Sequence, residues 1–153
     1  MRIKQMLALM GVLATIQLSA CGSADPRSPE QQVRATLEAI ELGVEARSMD
    51  AVTEHINKDY SDHQGHTIRD IKRLIQLQFI RNQSINIFTS IRSLELTDGV
   101  AAVELSAAMS SMAIDLSQES NRLRADTHHF SILLSQQDDK WLVDSVSWAR
   151  GWQ

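Results

Sequence analysis

Residues 59–66, which read DYSDHQGH, hold the densest group of side chains that could do chemistry. Asp62, His63 and His66 are of the types that ligate a divalent metal, while Tyr60 and His63 could polarise a carbonyl group. A glycine before the second imidazole and a helix start just after it break the spacing that would hold both imidazoles on one face. We therefore favour a polar loop, in which Asp62 binds backbone amides and the Tyr60 ring packs into the core. We predict no metal and no other cofactor.

Two histidines stand side by side in a segment that alternates like a strand. Because neighbouring strand residues point to opposite faces, His128 and His129 cannot chelate one ion together. His128 shares its face with Phe130, Ile132 and Leu134, so it is predicted to point inward. An inward histidine is more often a hydrogen-bonded core residue than a catalyst. If this one is catalytic, an imidazole titrates near neutral pH and suits proton transfer.

Asp144 is the carboxylate that the pattern places in apolar surroundings. Leu142, Val146 and Trp148 alternate with it along the last predicted strand and share its face. Desolvation raises the pKa of a carboxylic acid, and a general base working near neutral pH needs such a shift. The alternative is that Asp144 points outward and is solvated or paired with an arginine. The catalytic candidates are therefore Asp144, His128 and Tyr60.

The composition excludes several other classes of protein. The chain has 15 Lys and Arg against 19 Asp and Glu, a net charge of −4, and no basic block, so we predict no nucleic-acid partner. It lacks a glycine-rich phosphate loop and the GxSxG and HExxH motifs, so no motif supports a nucleotide enzyme or a hydrolase. Cys21 is the only cysteine, which excludes an internal disulfide.

The hydrophobic periodicity predicts three helices followed by four strands. Apolar residues at helical spacing predict helices over 28–47, 48–56 and 67–82, with a loop over 57–66. Ser28-Pro29-Glu30-Gln31 and the pair Thr67 and Asp70 are typical of helix starts. Alternation with period two predicts strands over 84–96, 100–112, 125–135 and 140–148, with a tight turn at Thr97-Asp98-Gly99 and a polar connection over 114–124. This order predicts an α+β fold.

The same order resembles the nuclear transport factor 2-like superfamily, including its SnoaL-like and ketosteroid isomerase-like branches. The segments that carry the resemblance are SMDAV at 48–52, DYSDHQG at 59–65 and HHFSILLSQQDDKWLVDSVSW at 128–148, and it extends from about Ser28 to Trp152. It implies three helices packed on a curved antiparallel sheet of about four strands. This cone has a pocket at its wide end and often dimerises through the outer face of the sheet. The side chains we expect at the pocket are Tyr60, His63, Phe79, His128, Phe130, Asp144 and Trp148.

Residues 1–20 have the features of a secretory signal. Arg2 and Lys4 give a basic start, and the apolar run over 6–18 is shorter than the roughly 20 residues that span a bilayer. Leu18-Ser19-Ala20-Cys21 resembles the bacterial lipobox, in which the cysteine is acylated and the preceding peptide is removed. We therefore predict a signal peptide over 1–20, a lipidated tether over 21–27 and one domain over 28–153. The alternatives are a free thiol after an ordinary signal, or an uncleaved anchor.

These observations lead to three hypotheses of function. The first is a lipoprotein of the bacterial cell envelope that binds a small apolar ligand or a protein partner through the cone. Gly22 after the cysteine, where an aspartate would favour the inner membrane, favours the periplasmic face of the outer membrane. The second is a small isomerase, dehydratase or cyclase with an Asp or His general base, although the paired tyrosine and acid of the isomerases have no counterpart here. The third is a homodimerising interaction module whose pocket is filled by Phe79, Phe130 and Trp148.

Overall fold

The computed structural model describes residues 27–110 and 127–150. The elements follow the predicted order: α1 (Pro29–Glu45), α2 (Met49–Thr53), α3 (Ile68–Arg81), β1 (Asn86–Thr97), β2 (Val100–Ser110), β3 (Thr127–Gln137) and β4 (Lys140–Arg150). The predictions for the signal peptide, for Cys21, for Trp152 and for the connection over 114–124 concern residues outside this description. Within the described ranges, no helix is long and apolar enough to cross a membrane.

Both predicted helix starts are held by side-chain hydrogen bonds, which are reciprocal at α1. At α1, Ser28 Oγ accepts the Gln31 backbone N–H at 3.3 Å, and Gln31 Oε1 accepts the Ser28 N–H at 2.9 Å. At α3, the Asp70 carboxylate accepts hydrogen bonds from the Thr67 N–H at 3.0 Å and from the Thr67 hydroxyl at 2.7 Å. These bonds satisfy donors that a helix N-terminus leaves unpaired, so short local motifs place the first residues of both helices.

The four described strands form one antiparallel sheet in the order β1-β2-β3-β4. Asp98 and Gly99 join β1 to β2 with φ values of 46° and 78°, which is the left-handed pair that a tight hairpin turn requires. Asp138 and Asp139 join β3 to β4 with φ values of 47° and 63°. The sheet is thus a meander whose strand order follows the chain, and the predicted α+β class is confirmed.

The two faces of the sheet differ in what covers them. On one, which we call the core face, Val103 and Leu134 are buried, and Val33 of α1 packs there with no exposed surface. On the other, which we call the open face, neighbouring residues such as Glu104, Ser131 and Leu133 are exposed. Because strand residues alternate, this difference assigns every β2 and β3 side chain to a face. The open face is rich in small and hydroxylated side chains: Ser90, Ala102, Ser106, Ser131, Ser145 and Ser147.

Two bulges interrupt the alternation. In β1, Ile91 lies opposite Leu105 and Ser93 opposite Glu104, so Arg92 is the extra residue. In β4, Val143 lies opposite Leu134 and Ser145 opposite Leu133, so Asp144 is the extra residue. A bulge shifts the pattern by one position, and the side chains beyond it change face.

The loop between α2 and α3 runs along the edge of β4. Val143 donates its N–H to the His55 carbonyl at 2.9 Å, and its own carbonyl accepts the Asn57 N–H at 2.9 Å. Ser61 donates its N–H to the Asp144 carbonyl at 3.1 Å. These backbone hydrogen bonds hold the 59–66 segment along β4, which is an edge strand of the sheet, so the polar side chains of the segment lie next to β4.

Candidate functional site

The core face is buried at one end and open at the other. Leu134 is 0 % exposed, and Trp141 and Val143 are 3 % and 4 % exposed beneath α1. Toward the start of β3 and the end of β4, Phe130 is half-buried and Trp148 is 38 % exposed. The apolar core face therefore extends beyond the part that the helices cover. Its uncovered end consists of aromatic side chains that are partly exposed to solvent.

Four rings form a row at this open end. His66 stacks on Trp148 with 6.2 Å between ring centroids and 19° between planes. Trp148 lies opposite Phe130 in the β3–β4 register, so the two share the core face. His128 adjoins Phe130 with ring centroids 6.3 Å apart. We call the row of His66, Trp148, Phe130 and His128 the mouth.

The Asp62 carboxylate organises the loop that carries His66. Its side chain is 1 % exposed. Oδ1 accepts the backbone N–H groups of Gln64 and His66, each at 2.9 Å, and Oδ2 lies 2.8 Å from His66 Nδ1. Asp62 thus binds backbone amides, as the polar-loop interpretation predicts. The same carboxylate also orients the imidazole, which holds the His66 ring in place against Trp148.

Tyr60 joins this loop to the core. Its side chain is 3 % exposed in the buried cluster with Val33 and Leu134, again as the polar-loop interpretation predicts. The hydroxyl accepts the Val146 N–H at 3.1 Å and lies 3.5 Å from Asp62 Oδ2. Burial raises the pKa of the Tyr60 hydroxyl; the Val146 hydrogen bond partly offsets this, and the nearby Asp62 charge adds to it. Tyr60 is therefore a neutral structural phenol at physiological pH.

The pKa of Asp62 reflects two opposing effects. Burial raises it, but the hydrogen bonds from the His66 N–H and imidazole and from the Gln64 N–H lower it by more. The net pKa lies below the ordinary value of 3.8. Ionised Asp62 therefore stabilises the folded state above that pH, and this contribution is lost as the pH falls through the lower folded pKa.

The Asp62→Asn variant is accordingly expected to show a weaker acid dependence of stability than the wild type. Its midpoint of thermal unfolding should fall less steeply below about pH 4, because the amide has no proton to gain. Circular dichroism melts from neutral to acidic pH measure this. Asp59→Asn is the control, since Asp59 lies in the same loop with its side chain 79 % exposed. Equal acid dependence in all three proteins would contradict the assignment.

The predicted grouping of Asp144 with Val146 and Trp148 is wrong. The bulge at Asp144 moves Val146 and Trp148 onto the core face, opposite Ile132 and Phe130. Asp144 Oδ1 instead accepts hydrogen bonds from Asn57 Nδ2 at 2.6 Å and from Ser135 Oγ at 3.0 Å. The carboxylate thus ties the bulge to the loop and lies away from the mouth, so it is not placed to act as a base there.

The remaining candidates are dispersed. His128, Phe130 and Trp148 line the mouth, whereas Phe79 is buried on α3 outside the buried cluster around Val33 and Leu134. His63 is exposed at the edge of β4, and Asp62 and His66 pair with each other. Across residues 27–110 and 127–150, no three His, Cys, Asp or Glu side chains meet as a metal-binding group.

A groove of about 340 Å³ is lined by residues of β2, β3 and β4 and by Asp62 and His63 of the loop beside β4. Most of its strand residues belong to the open face, and Val103, Ile132 and Val146 of the core face complete the lining. Its exposed lining residues include Glu104, Ser131, Leu133 and His63, and the half-buried Ser147 lies beside them. His63, which the sequence predicts at a pocket, is one of the residues that line this groove. Alternation in the sequence shows which residues share a face, but does not show that the face is indented.

Two of the side-chain contacts in the structure are not predicted by the sequence. The sequence indicates His66 only as a possible metal ligand, whereas the structure stacks it on Trp148, 82 residues further along the chain. The sequence likewise does not pair Ser106 with His129, whose side chains lie 2.9 Å apart across β2 and β3. No sequence spacing signals either contact, because the strand register creates both.

Comparison with known proteins shows the fold. No protein-family profile matches the chain, and no curated protein matches it. A candidate dehydratase of the nuclear transport factor 2-like family from Streptomyces avermitilis matches with a TM-score of 0.64 at 12 % identity, covering 82 % of this chain and 100 % of that one. A candidate scytalone dehydratase from Novosphingobium aromaticivorans matches with a TM-score of 0.61 at 10 % identity, over 80 % and 84 % of the two chains.

A third solved structure has no known function. It is a nuclear transport factor 2-like protein from Shewanella oneidensis, with a TM-score of 0.57 at 13 % identity, covering 79 % of this chain and 98 % of that one. At these identities the likeness concerns the fold alone. The described chain therefore has a nuclear transport factor 2-like fold, which is a pocket-bearing architecture.

Proposed function

We propose that this protein is a lipid-anchored protein of the bacterial envelope whose domain binds a small, planar, apolar or amphipathic ligand at the mouth. The observation that carries the proposal is the uncovered end of the core face. There Trp148 is 38 % exposed and stacks on His66, next to Phe130 and His128. Aromatic walls with a few oriented polar groups are the usual composition of small-molecule sites. The imidazoles would orient the ligand and the rings would stack on it.

The hydrogen bonds of the polar side chains favour binding over catalysis. Tyr60 is committed to the Val146 N–H, and Asp144 to Asn57 and Ser135. Asp62 holds its own loop. Groups that stabilise the fold in this way are not free to exchange protons with a ligand.

The exposure of the mouth also favours an open site over a filled one. The interaction-module hypothesis expects Phe79, Phe130 and Trp148 to close the cone. Phe79 is 8 % exposed, but Trp148 is 38 % exposed and Phe130 is only half-buried. The apolar surface that remains is available to a ligand.

The envelope location is supported by the sequence of the N-terminus. The lipobox-like Leu18–Cys21 would place an acylated cysteine eight residues before Pro29, the first residue of α1. A seven-residue tether extends to at most about 25 Å, so the domain would stay near the membrane surface. Gly22 favours the outer membrane, with the domain in the periplasm. An apolar ligand could then be exchanged with the membrane without crossing much water.

Trp148→Ala is expected to weaken binding of an apolar ligand at least about tenfold, because the stacked indole surface is lost. The probe is anilinonaphthalene sulfonate, whose fluorescence rises in apolar sites. It is titrated into the purified full chain in detergent, and a micelle blank is subtracted. Leu133→Ala is the matched control, because Leu133 is 46 % exposed on the open face. Equal loss in both variants, or none in Trp148→Ala, would refute a site at the mouth.

A second candidate function is a small dehydratase-type or isomerase-type enzyme. The specific observation in its favour is the contact between Asp62 and His66, in which a buried carboxylate holds Nδ1 of an imidazole at 2.8 Å beside the mouth. A general base needs this kind of orientation. In this version His66 replaces Asp144 as the proton acceptor, and Asp62 positions it.

The homodimer through the sheet remains a proposal about partners. Phe88, Val100 and Leu133 are 42 %, 45 % and 46 % exposed on the open face. Small side chains between them would allow a second copy to approach closely. Ligand binding at the mouth does not depend on this contact, because the mouth is on the other face.

A further inference from the structure

Three polar side chains from three strands converge on the open face. Ser106 of β2 has its Oγ 2.9 Å from His129 Nδ1 of β3. Arg92 of β1 donates its Nε–H to the same Oγ at 2.7 Å. Ser106 and His129 are half-buried and Arg92 is exposed, so solvent reaches the group. We call these residues the Arg92–Ser106–His129 cluster.

The bulge in β1 puts the guanidinium in place. Because Arg92 is the extra residue between the pairs Ile91–Leu105 and Ser93–Glu104, it has no partner directly across on β2. Its side chain reaches over to Ser106 instead. Bulges often re-aim one side chain next to a functional site. His129 lies directly opposite Ser106 in the regular β2–β3 register.

The donors and acceptors of the cluster favour an activated hydroxyl. A guanidinium has only donors, so Arg92 occupies one lone pair of Ser106 Oγ. In the His129 tautomer that carries its proton on Nε2, Nδ1 accepts the Ser106 hydroxyl proton. The imidazole is then a proton acceptor in contact with a serine oxygen. The positive charge of Arg92 stabilises negative charge that develops on or next to that oxygen.

The groove on the open face adjoins the cluster. Glu104 and Ser131 line it, and each lies two residues along its strand from Ser106 or His129 on the same face. Ser131 donates its hydroxyl to Glu104 at 2.9 Å, which gives the groove a polar wall, and Leu133 supplies an apolar one. A volume of about 340 Å³ is enough for a small organic group.

We propose that Ser106 is a nucleophile toward small carboxylic esters, with His129 as its general base and the groove as the site for the rest of the substrate. Ser106 Oγ forms a bond to the carbonyl carbon while its proton passes to His129 Nδ1. The negative charge forms on the carbonyl oxygen, next to the guanidinium of Arg92, whose Nε lies 2.7 Å from Ser106 Oγ. When the intermediate collapses, the bond to the leaving oxygen breaks and His129 returns the proton to it, which releases an alcohol.

Water completes the cycle. It attacks the acyl group on Ser106 as His129 accepts its proton, the bond to Oγ breaks, and Ser106 regains its hydrogen as the acid departs. The sum is an ester and water giving an acid and an alcohol, so no oxidant, reductant or cofactor is needed. Ser106 is on the opposite face of the sheet from the mouth. The esterase proposal is therefore tested independently of ligand binding at the mouth.

The test is covalent labelling of the full chain with a fluorophosphonate, followed by peptide mapping, together with hydrolysis of p-nitrophenyl acetate. The expected adduct is on Ser106, and it should be absent from Ser106→Ala. His129→Gln should label about a hundredfold more slowly, since the base is lost. Ser90→Ala should label normally, because Ser90 lies across from Ser106 on β1 but on the far side from His129.

Four results would overturn the proposal. They are no adduct on the folded wild type, an adduct on a different serine, equal labelling of His129→Gln, and ester hydrolysis that survives in Ser106→Ala. The peptide map of the wild type locates the adduct without any variant, so a misfolded substitution cannot decide the outcome. The homodimer through the open face would cover Ser106, so the two proposals exclude each other. A wild-type dimer that closes this face and prevents labelling would overturn the assignment of Ser106 as a nucleophile.

Discussion

Cys21→Ser is expected to abolish acylation and to release the protein from the membrane fraction. A serine has no thiol to receive the lipid, and each buried methylene contributes about 0.8 kcal/mol to membrane attachment. One acyl chain gives only marginal binding, whereas the multiply acylated cysteine of lipobox proteins would hold the chain firmly. Incorporation of labelled palmitate, the intact mass and the partition between membrane and soluble fractions measure the change.

The control for the anchor is Ser23→Ala, which changes a neighbouring residue and keeps Cys21. It should label and partition like the wild type. A Cys21→Ser protein that still carried palmitate, or that stayed with the membranes to the same extent, would refute the lipobox interpretation. The remaining alternatives, a free thiol or an uncleaved anchor, would then be separated by whether the mature mass includes residues 1–20.

Leu134→Ala is expected to destabilise the domain by about 3 kcal/mol, while the neighbouring Leu133→Ala should cost less than about 0.5 kcal/mol. Leu134 is 0 % exposed on the core face, so its truncation leaves a cavity. Leu133 is 46 % exposed on the open face. Urea unfolding of both variants measures the difference, and the melting midpoint of Leu134→Ala should fall by roughly 10 °C.

The two leucines test the face assignment on which both sites depend. They are identical residues at adjacent positions of one strand, so β propensity and residue volume cancel in the comparison. Equal destabilisation would mean that both faces are buried. A larger loss in Leu133→Ala would mean that the register is shifted by one residue, which would move His129 and Ser106 to the core.

The local features of the fold could be predicted from the sequence because each depends on neighbouring residues. Ser28 to Gln31, and Thr67 with Asp70, predicted helix starts that the structure contains as capping hydrogen bonds. The turn at Asp98-Gly99 was predicted for the same reason, since a left-handed pair favours these residue types. The prediction that Asp62 binds backbone amides needed only contacts within the loop.

The sites required the tertiary structure, because strand pairing and not chain spacing brings their residues together. The spacing of residues in β4 does not reveal its bulge. The prediction that Asp144 shares a face with Val146 assumed regular alternation through β4, and the bulge at Asp144 breaks that alternation. The bulge at Arg92 likewise turns a surface residue toward Ser106. The stack of His66 on Trp148 depends on how the loop lies along β4.

By itself, therefore, the sequence determined the order and type of the elements, the buried sides of the regular strands and the residues predicted to carry a lipid. These follow from periodicity, capping and turn chemistry, which act over a few residues. The tertiary structure alone decided that the aromatic rings meet at an open end of the core face and that Arg92, Ser106 and His129 touch on the other side. The physical reason is that register and bulge positions minimise the energy of the whole sheet, and no short segment contains that information.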